Sequence, residues 1–171
     1  MPKKTVRRRR MPKYIEEIMY LLERMEKKIN RLAAMPCIDF TTQPVGVLAV
    51  PPNTYSVNLS SHTFIFSSSN TQNLPIEIRN YPVPTTNNLI IPYQLTIEMV
   101  PPCSDVEVDV SSFAQLSWNA YDSPGGSLPT IPSPPAPRNT PSHKFAISGN
   151  VAKLNFESGN EEGILRICFI P

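Results

Sequence analysis

The side chains best equipped for chemistry are few and scattered along this chain. There are two histidines, His62 and His143, three cysteines, Cys37, Cys103 and Cys168, and one close set of carboxylates, Asp105, Glu107 and Asp109. Acids at alternate positions of a strand project from one face, and such a row could collect a hard cation such as calcium. With Val106, Val108 and Val110 interleaved, the same pattern describes a solvated face opposite a buried one, and no metal site is expected. Two isolated histidines amid abundant serines do not make a triad. The sequence holds no GxSxG elbow, no HExxH pair and no glycine-rich phosphate loop. Its six glycines are adjacent only at Gly125-Gly126, too few to line a nucleotide site with bare backbone. No catalytic residue and no cofactor are therefore expected, and the chain reads as non-enzymatic.

An odd number of cysteines without CxxC spacing predicts neither a disulfide framework nor a zinc site. Free buried thiols are the expectation, although Cys37 could link neighbouring subunits. Asn58-Leu59-Ser60 matches a glycosylation sequon, discounted because no export signal precedes it.

The strongest chemical signal is electrostatic. Lys3, Lys4, Arg7, Arg8, Arg9, Arg10 and Lys13 fall within the first thirteen positions. Such a block repels itself into an extended arm whose partners are polyanions, nucleic acid or an anionic membrane surface. No base-reading element accompanies it, so binding should be independent of sequence and weakened by salt. The net charge of +2 hides this asymmetry, for residues 1–35 carry eleven basic and four acidic residues and residues 36–171 carry five and ten.

Two elements must position these groups. The first is a helix predicted over residues 12–35. Ile15, Ile18, Leu22, Met25, Ile29 and Leu32 follow at steps of three and four, the 3.5-residue period of a coiled-coil seam, and predict oligomerisation through this face. Tyr14, Met19 and Leu21 widen the stripe. Pro12 suits a first helical position, Glu16 and Glu17 the first turns, Lys27, Lys28 and Arg31 the last, and Pro36 blocks continuation. The stripe fits a bundle or a helix docked on its own body, and it does not choose between dimer and trimer.

The second is a β body. From Cys37 onward the hydrophobic period falls to two, with strands expected near 45–50, 55–59, 64–66, 74–78, 93–99, 106–110, 113–118, 145–147, 151–156 and 164–170. Tight hairpins are expected at 148–150 and 158–163. Short strands at this spacing argue for an antiparallel sandwich, and about eight principal strands would make a jelly roll. Phe64, Phe66, Tyr93, Leu95, Ile97, Trp118, Phe145, Ile147, Phe156 and Ile167 are the expected core. The loop at 123–141 holds seven prolines in nineteen residues, and reads either as a disordered excursion or as an arm along a neighbouring subunit. Twenty prolines against six glycines predict a thermostable protein, from a hot habitat or a durable particle. A basic start without an apolar core behind it predicts synthesis in a cytoplasm without export.

The order of segments, a basic arm over 1–11, a helix over 12–35 and a β-sandwich over 36–171, resembles single jelly-roll capsid proteins of small icosahedral viruses. Soluble start and proline load are similar to the small major capsid proteins of tailless, membrane-containing viruses of thermophilic hosts. The resemblance rests on segment order, and no signature residues carry over. It implies a self-assembling coat subunit located in the virion, with itself and other capsid proteins as partners and the arm facing genome or internal membrane. The alternatives are a viral spike or vertex protein with a helical stalk and a β head for host attachment, and a cellular nucleic-acid-coating protein.

Overall fold

The computed structural model describes residues 13–170 except 34, 70, 71, 73, 83, 84 and 159–161. The chain divides into two compact units, Met1–Met35 and Pro36–Pro171. The first contains one helix, α1 (Lys13–Ala33).

The second is built almost wholly of strands: β1 (Cys37–Asp39), β2 (Gly46–Ala49), β3 (Tyr55–Leu59), β4 (His62–Ser68), β5 (Ile76–Pro82), β6 (Thr85–Ile90), β7 (Gln94–Ser112), β8 (Ser117–Asp122), β9 (Ser127–Leu128), β10 (Thr130–Ile131), β11 (Thr140–Glu157) and β12 (Gly163–Ile170). A 3-10 turn, Phe40–Thr42, follows β1 and is capped by Asp39, whose carboxylate accepts the Thr41 N–H. All twelve strands join one antiparallel sheet, with the path β2-β5-β6-β12-β7-β11-β8-β9 and β1, β3, β4 and β10 attached beside it.

The expected count of about eight strands is exceeded because β1, β6, β9 and β10 were not expected, while two expected pairs of strands prove to be continuous. The expected strands at 93–99 and 106–110 are one strand, β7, of 19 residues. The pair Pro101-Pro102 cannot donate to the ladder, so pairing lapses there and the strand turns without ending. Likewise 145–147 and 151–156 belong to β11, and the hairpin expected at 148–150 is a register shift inside it, with Gly149 at φ 127°. The strands on either side of the hairpin expected at 158–163 are not neighbours in the sheet. β11 and β12 each pair with β7 and flank it, and residues 159–161 of the link lie outside the described residues.

The two bends let the sheet double back. The first part of β7, with β4, β8 and the end of β11, forms one half; its second part, with β12, β6 and the start of β11, forms the other. Aromatic rings meet between them. Phe64 of β4 lies 4.7 Å from Phe169 of β12, and Trp118 of β8 stacks on Phe145 of β11 at 4.1 Å with 8° between planes. Phe40 meets Phe66 edge to face at 5.9 Å. Each such fully buried side chain contributes about 1.5–3 kcal/mol relative to exposure.

Of the expected core, Phe64, Phe66, Leu95, Ile97, Trp118, Phe145, Ile147, Phe156 and Ile167 are buried, and Tyr93 is not. Tyr93 precedes β7 and has φ 57°, so it falls outside the alternation that buries Leu95, Ile97 and Met99. Phe113, expected within a strand, is likewise exposed ahead of β8.

The proline-rich loop is neither a disordered excursion nor a free arm. It folds onto its own sheet: β9 pairs with β8 and β10 with β11. Thr130 Oγ1 accepts the Trp118 indole N–H at 3.0 Å, and the Ala136 N–H donates to the Leu116 carbonyl at 3.0 Å.

Candidate interaction surfaces

The basic residues assigned to polyanion binding, Lys3, Lys4, Arg7, Arg8, Arg9 and Arg10, lie outside the described residues, as does the Lys13 side chain. On α1, part of the expected seam is in view. Ile18 is 51% exposed, Leu22 58% and Met25 59%, and Tyr14, Met19, Tyr20 and Leu21 are exposed as well, while Ile15 is half-buried. The side chains of Ile29 and Leu32 lie outside the described residues. A soluble helix normally buries a stripe of this width, which makes the face a candidate interaction surface. No helix among the described residues is long and apolar enough to cross a membrane.

Where the body begins, its first strand is fastened to its last. β1 pairs with β12 in the register Cys37 to Cys168, Ile38 to Ile167 and Asp39 to Arg166. Cys37 and Cys168 form a disulfide, which corrects the expectation of free thiols; Cys103 alone is free, and buried. Burial pushes the Cys103 thiol up to about 12, so it is inert at neutral pH. The Phe169 N–H donates to the Pro36 carbonyl at 3.1 Å, and Arg166 Nη2 donates to Asp39 Oδ2 at 2.7 Å. Burial of Asp39 alone would raise its carboxyl, but the Thr41 hydroxyl and amide and the Arg166 guanidinium outweigh it and hold the group below the usual range.

The acidic row on β7 is engaged in pairs. Glu107 lies 3.5 Å from Lys144, and Asp109 accepts the Ser142 hydroxyl at 2.6 Å. Among the described residues no three His, Cys, Asp or Glu side chains are placed to hold a metal ion. The histidines sit apart from this row. His62 is buried 5.2 Å from Phe169, with Ser61 beside Nδ1 at 3.2 Å. His143 packs 5.8 Å from Trp118, on the face of β11 opposite Ser142 and Lys144.

Sequence reasoning missed a buried polar knot near the far end of β12. Asn88 Nδ2 donates to Ser111 Oγ at 3.0 Å, and the Ala114 N–H donates to the fully buried Glu162 carboxylate at 3.1 Å. Gly163 sits against Asn88, with room for no side chain, since a Cβ there would lie 2.6 Å from the Asn88 Cβ. The only signal in the sequence was an Asn-Asn pair beside an apolar run.

Next to this knot opens a groove of about 320 Å³ lined by Ala114, Gln115, Ser117, Glu157 and Ser158. It lies at the end of the body remote from Pro36. β12 runs between the two, from Glu162 beside Ala114 to Phe169 bonded to Pro36, which is about 23 Å for seven residues of strand.

No protein-family model matches the chain, and no curated protein matches it.

Proposed function

We propose that the chain is a virion structural protein, a coat subunit that assembles with copies of itself and with other shell proteins. The β body, read as a jelly-roll sandwich, tiles the shell; the basic arm turns inward to packaged nucleic acid or an internal anionic membrane. The observation that carries this reading is the exposed apolar face of α1, directly behind a block of seven basic residues. A helix of 21 residues is marginal alone in water, so Ile18, Leu22 and Met25 gain their partners from neighbouring subunits. Copies assembled through it display many arms together, and avidity then holds a polyanion that one arm would release.

The Cys37–Cys168 disulfide supports the same reading. Such bonds persist in particles outside the reducing cytoplasm and inside hyperthermophilic cells. The non-enzymatic reading stands on the histidines, each packed against an aromatic ring and apart from the acidic row.

Expression of the full chain followed by electron microscopy tests the proposal, with closed shells of uniform size as the expected result. Removal of residues 1–13 should leave the β signal in circular dichroism unchanged and abolish salt-sensitive retention of nucleic acid and anionic liposomes. Equal retention by the truncated chain would sink the role given to the arm. A cellular nucleic-acid-coating protein would instead bind free DNA or RNA tightly without forming particles.

The groove at the end of the body remote from Pro36 favours a second reading, a spike whose helical stalk carries a β head for host attachment. That reading requires an elongated trimer without affinity for nucleic acid.

A further inference from the structure

Tyr93 occupies a conformation that its own chemistry disfavours. At φ 57° it stands in the left-handed region, which strains a bulky residue and is usually left to Gly or Asn. The backbone is pinned there from both sides: the Tyr93 N–H donates to Ile91 O at 3.0 Å, and its carbonyl accepts the Ser158 N–H at 2.8 Å. Its side chain remains 37% exposed, outside the core. Strain borne by a large aromatic side chain without return in packing points to use of that side chain elsewhere.

Its surroundings indicate the use. Ser158, to which Tyr93 is bonded, lines the 320 Å³ groove, and Phe113, 49% exposed, directly precedes the lining residue Ala114. The groove offers a hydroxyl from Ser117, an amide from Gln115 and a carboxylate from Glu157, while the Ser158 hydroxyl, which donates to the Ile91 carbonyl at 2.8 Å, can still accept; Tyr93 and Phe113 are exposed neighbours of the lining residues Ser158 and Ala114. Vicinal hydroxyls of a sugar are matched by such donors and acceptors, and the C–H faces of the ring stack on aromatic side chains. Small-ligand sites have about this volume and combine a few placed polar groups with aromatic surface. The lining contains one carboxylate and no Lys or Arg, so it suits a neutral sugar and disfavours a sialylated or sulfated one. A larger cleft of about 430 Å³ at the bend is a weaker host. There Asp122 already accepts the Gly126 N–H and Lys153 already lies 4.9 Å above the Tyr121 ring.

We propose that this groove, with the exposed rings of the neighbouring Tyr93 and Phe113, binds a neutral oligosaccharide. The inference is independent of particle assembly, which the same variants leave intact.

The test presents the full chain to an array of immobilised neutral oligosaccharides with sialylated ones as comparators, followed by titration calorimetry with the best neutral binder. Saturable binding of a neutral glycan is expected, weakened about tenfold or more by Phe113→Ala and by Tyr93→Asn. Asn tolerates the left-handed backbone, so Tyr93→Asn should keep or raise the melting temperature, and loss of binding then reflects the missing ring. No saturable binding on the array overturns the proposal. So does unchanged affinity in both variants, equal preference for sialylated glycans, or capture of a protein through Tyr93 and Phe113 with no response to sugar.

Discussion

Replacing Cys37 and Cys168 by Ser should cost this protein a large part of its stability, and the size of the loss follows from topology. The bond closes a loop with a sequence separation of 131 residues, nearly the whole body. Chain-entropy arithmetic for a loop that long gives about 5 kcal/mol at 25 °C, against a typical range of about 2–4 kcal/mol for native bridges. A body of this size has a total stability of about 5–15 kcal/mol. The double variant should therefore melt about 10–20 °C below the oxidised protein. Urea unfolding followed by circular dichroism should show, besides the lower midpoint, a steeper slope for the variant, because its unfolded chain is no longer cross-linked and exposes more surface. Reduced wild-type protein should trace the variant's curve. Thiol titration gives the count directly: none reactive in the native oxidised protein, one after denaturation without reductant, three after denaturation with it. Coincident oxidised and reduced unfolding curves, or three thiols without reductant, would refute the reasoning.

Further outcomes can be checked alongside. The depressed Asp39 carboxyl contributes stability that is present above its unfolded value, about 3.9, and lost as pH falls through the lower folded value. Arg166→Gln should therefore flatten the acid side of the stability profile, measured by urea unfolding between pH 6 and 2, and leave a wild-type slope only if the pair is not formed. Cys103 titrates in the opposite sense. Its folded value near 12 exceeds its unfolded one, so the folded state retains a proton that the unfolded state sheds, and stability falls as pH rises above about 8.5. Cys103→Ala should lessen that alkaline decline, with a limiting difference of about 1.4 kcal/mol per pH unit. Gly163→Ala forces a methyl against the Asn88 Cβ and should destabilise by about 1–3 kcal/mol in thermal melts, and an unchanged melting temperature would count against the close approach. If α1 holds subunits together as proposed, Ile18→Asp with Leu22→Asp should yield monomers in sedimentation without altering the β signal, and assembly equal to that of the unaltered chain would remove the helix from that role.

The β character of the body was legible because period-two alternation survives in short windows, as in Phe64 and Phe66 or Leu95, Ile97 and Met99. What the windows could not convey was continuity. Pro101-Pro102 and Ser148-Gly149-Asn150 carry the residues of chain reversals, yet each sits inside a long strand whose flanks stay paired to β7 or β11. β6 was overlooked because Thr85 to Asn88 is polar, and the one buried asparagine is accommodated by Ser111, a partner 23 residues away. The disulfide was hidden for a similar reason: spacing along the chain says nothing of Cys37 and Cys168 until the first and last strands are known to pair. Tyr93 fitted the strand parity on paper, but a left-handed backbone removes it from the alternation. The groove depends on Ala114 and Ser117 meeting Glu157 and Ser158, which the pairing of β8 with β11, strands distant in sequence, brings about. The helix, in contrast, was readable almost to its ends, since its period, first-turn acids and flanking prolines are local.

The proposed function is assembly of identical subunits around a polyanion. Sedimentation velocity with light scattering on the purified full chain, at low and high salt and with and without nucleic acid, tests it most directly. Large, regular assemblies that nucleic acid promotes and high salt disperses are expected. A small, elongated species of fixed size, indifferent to both salt and nucleic acid, would contradict it.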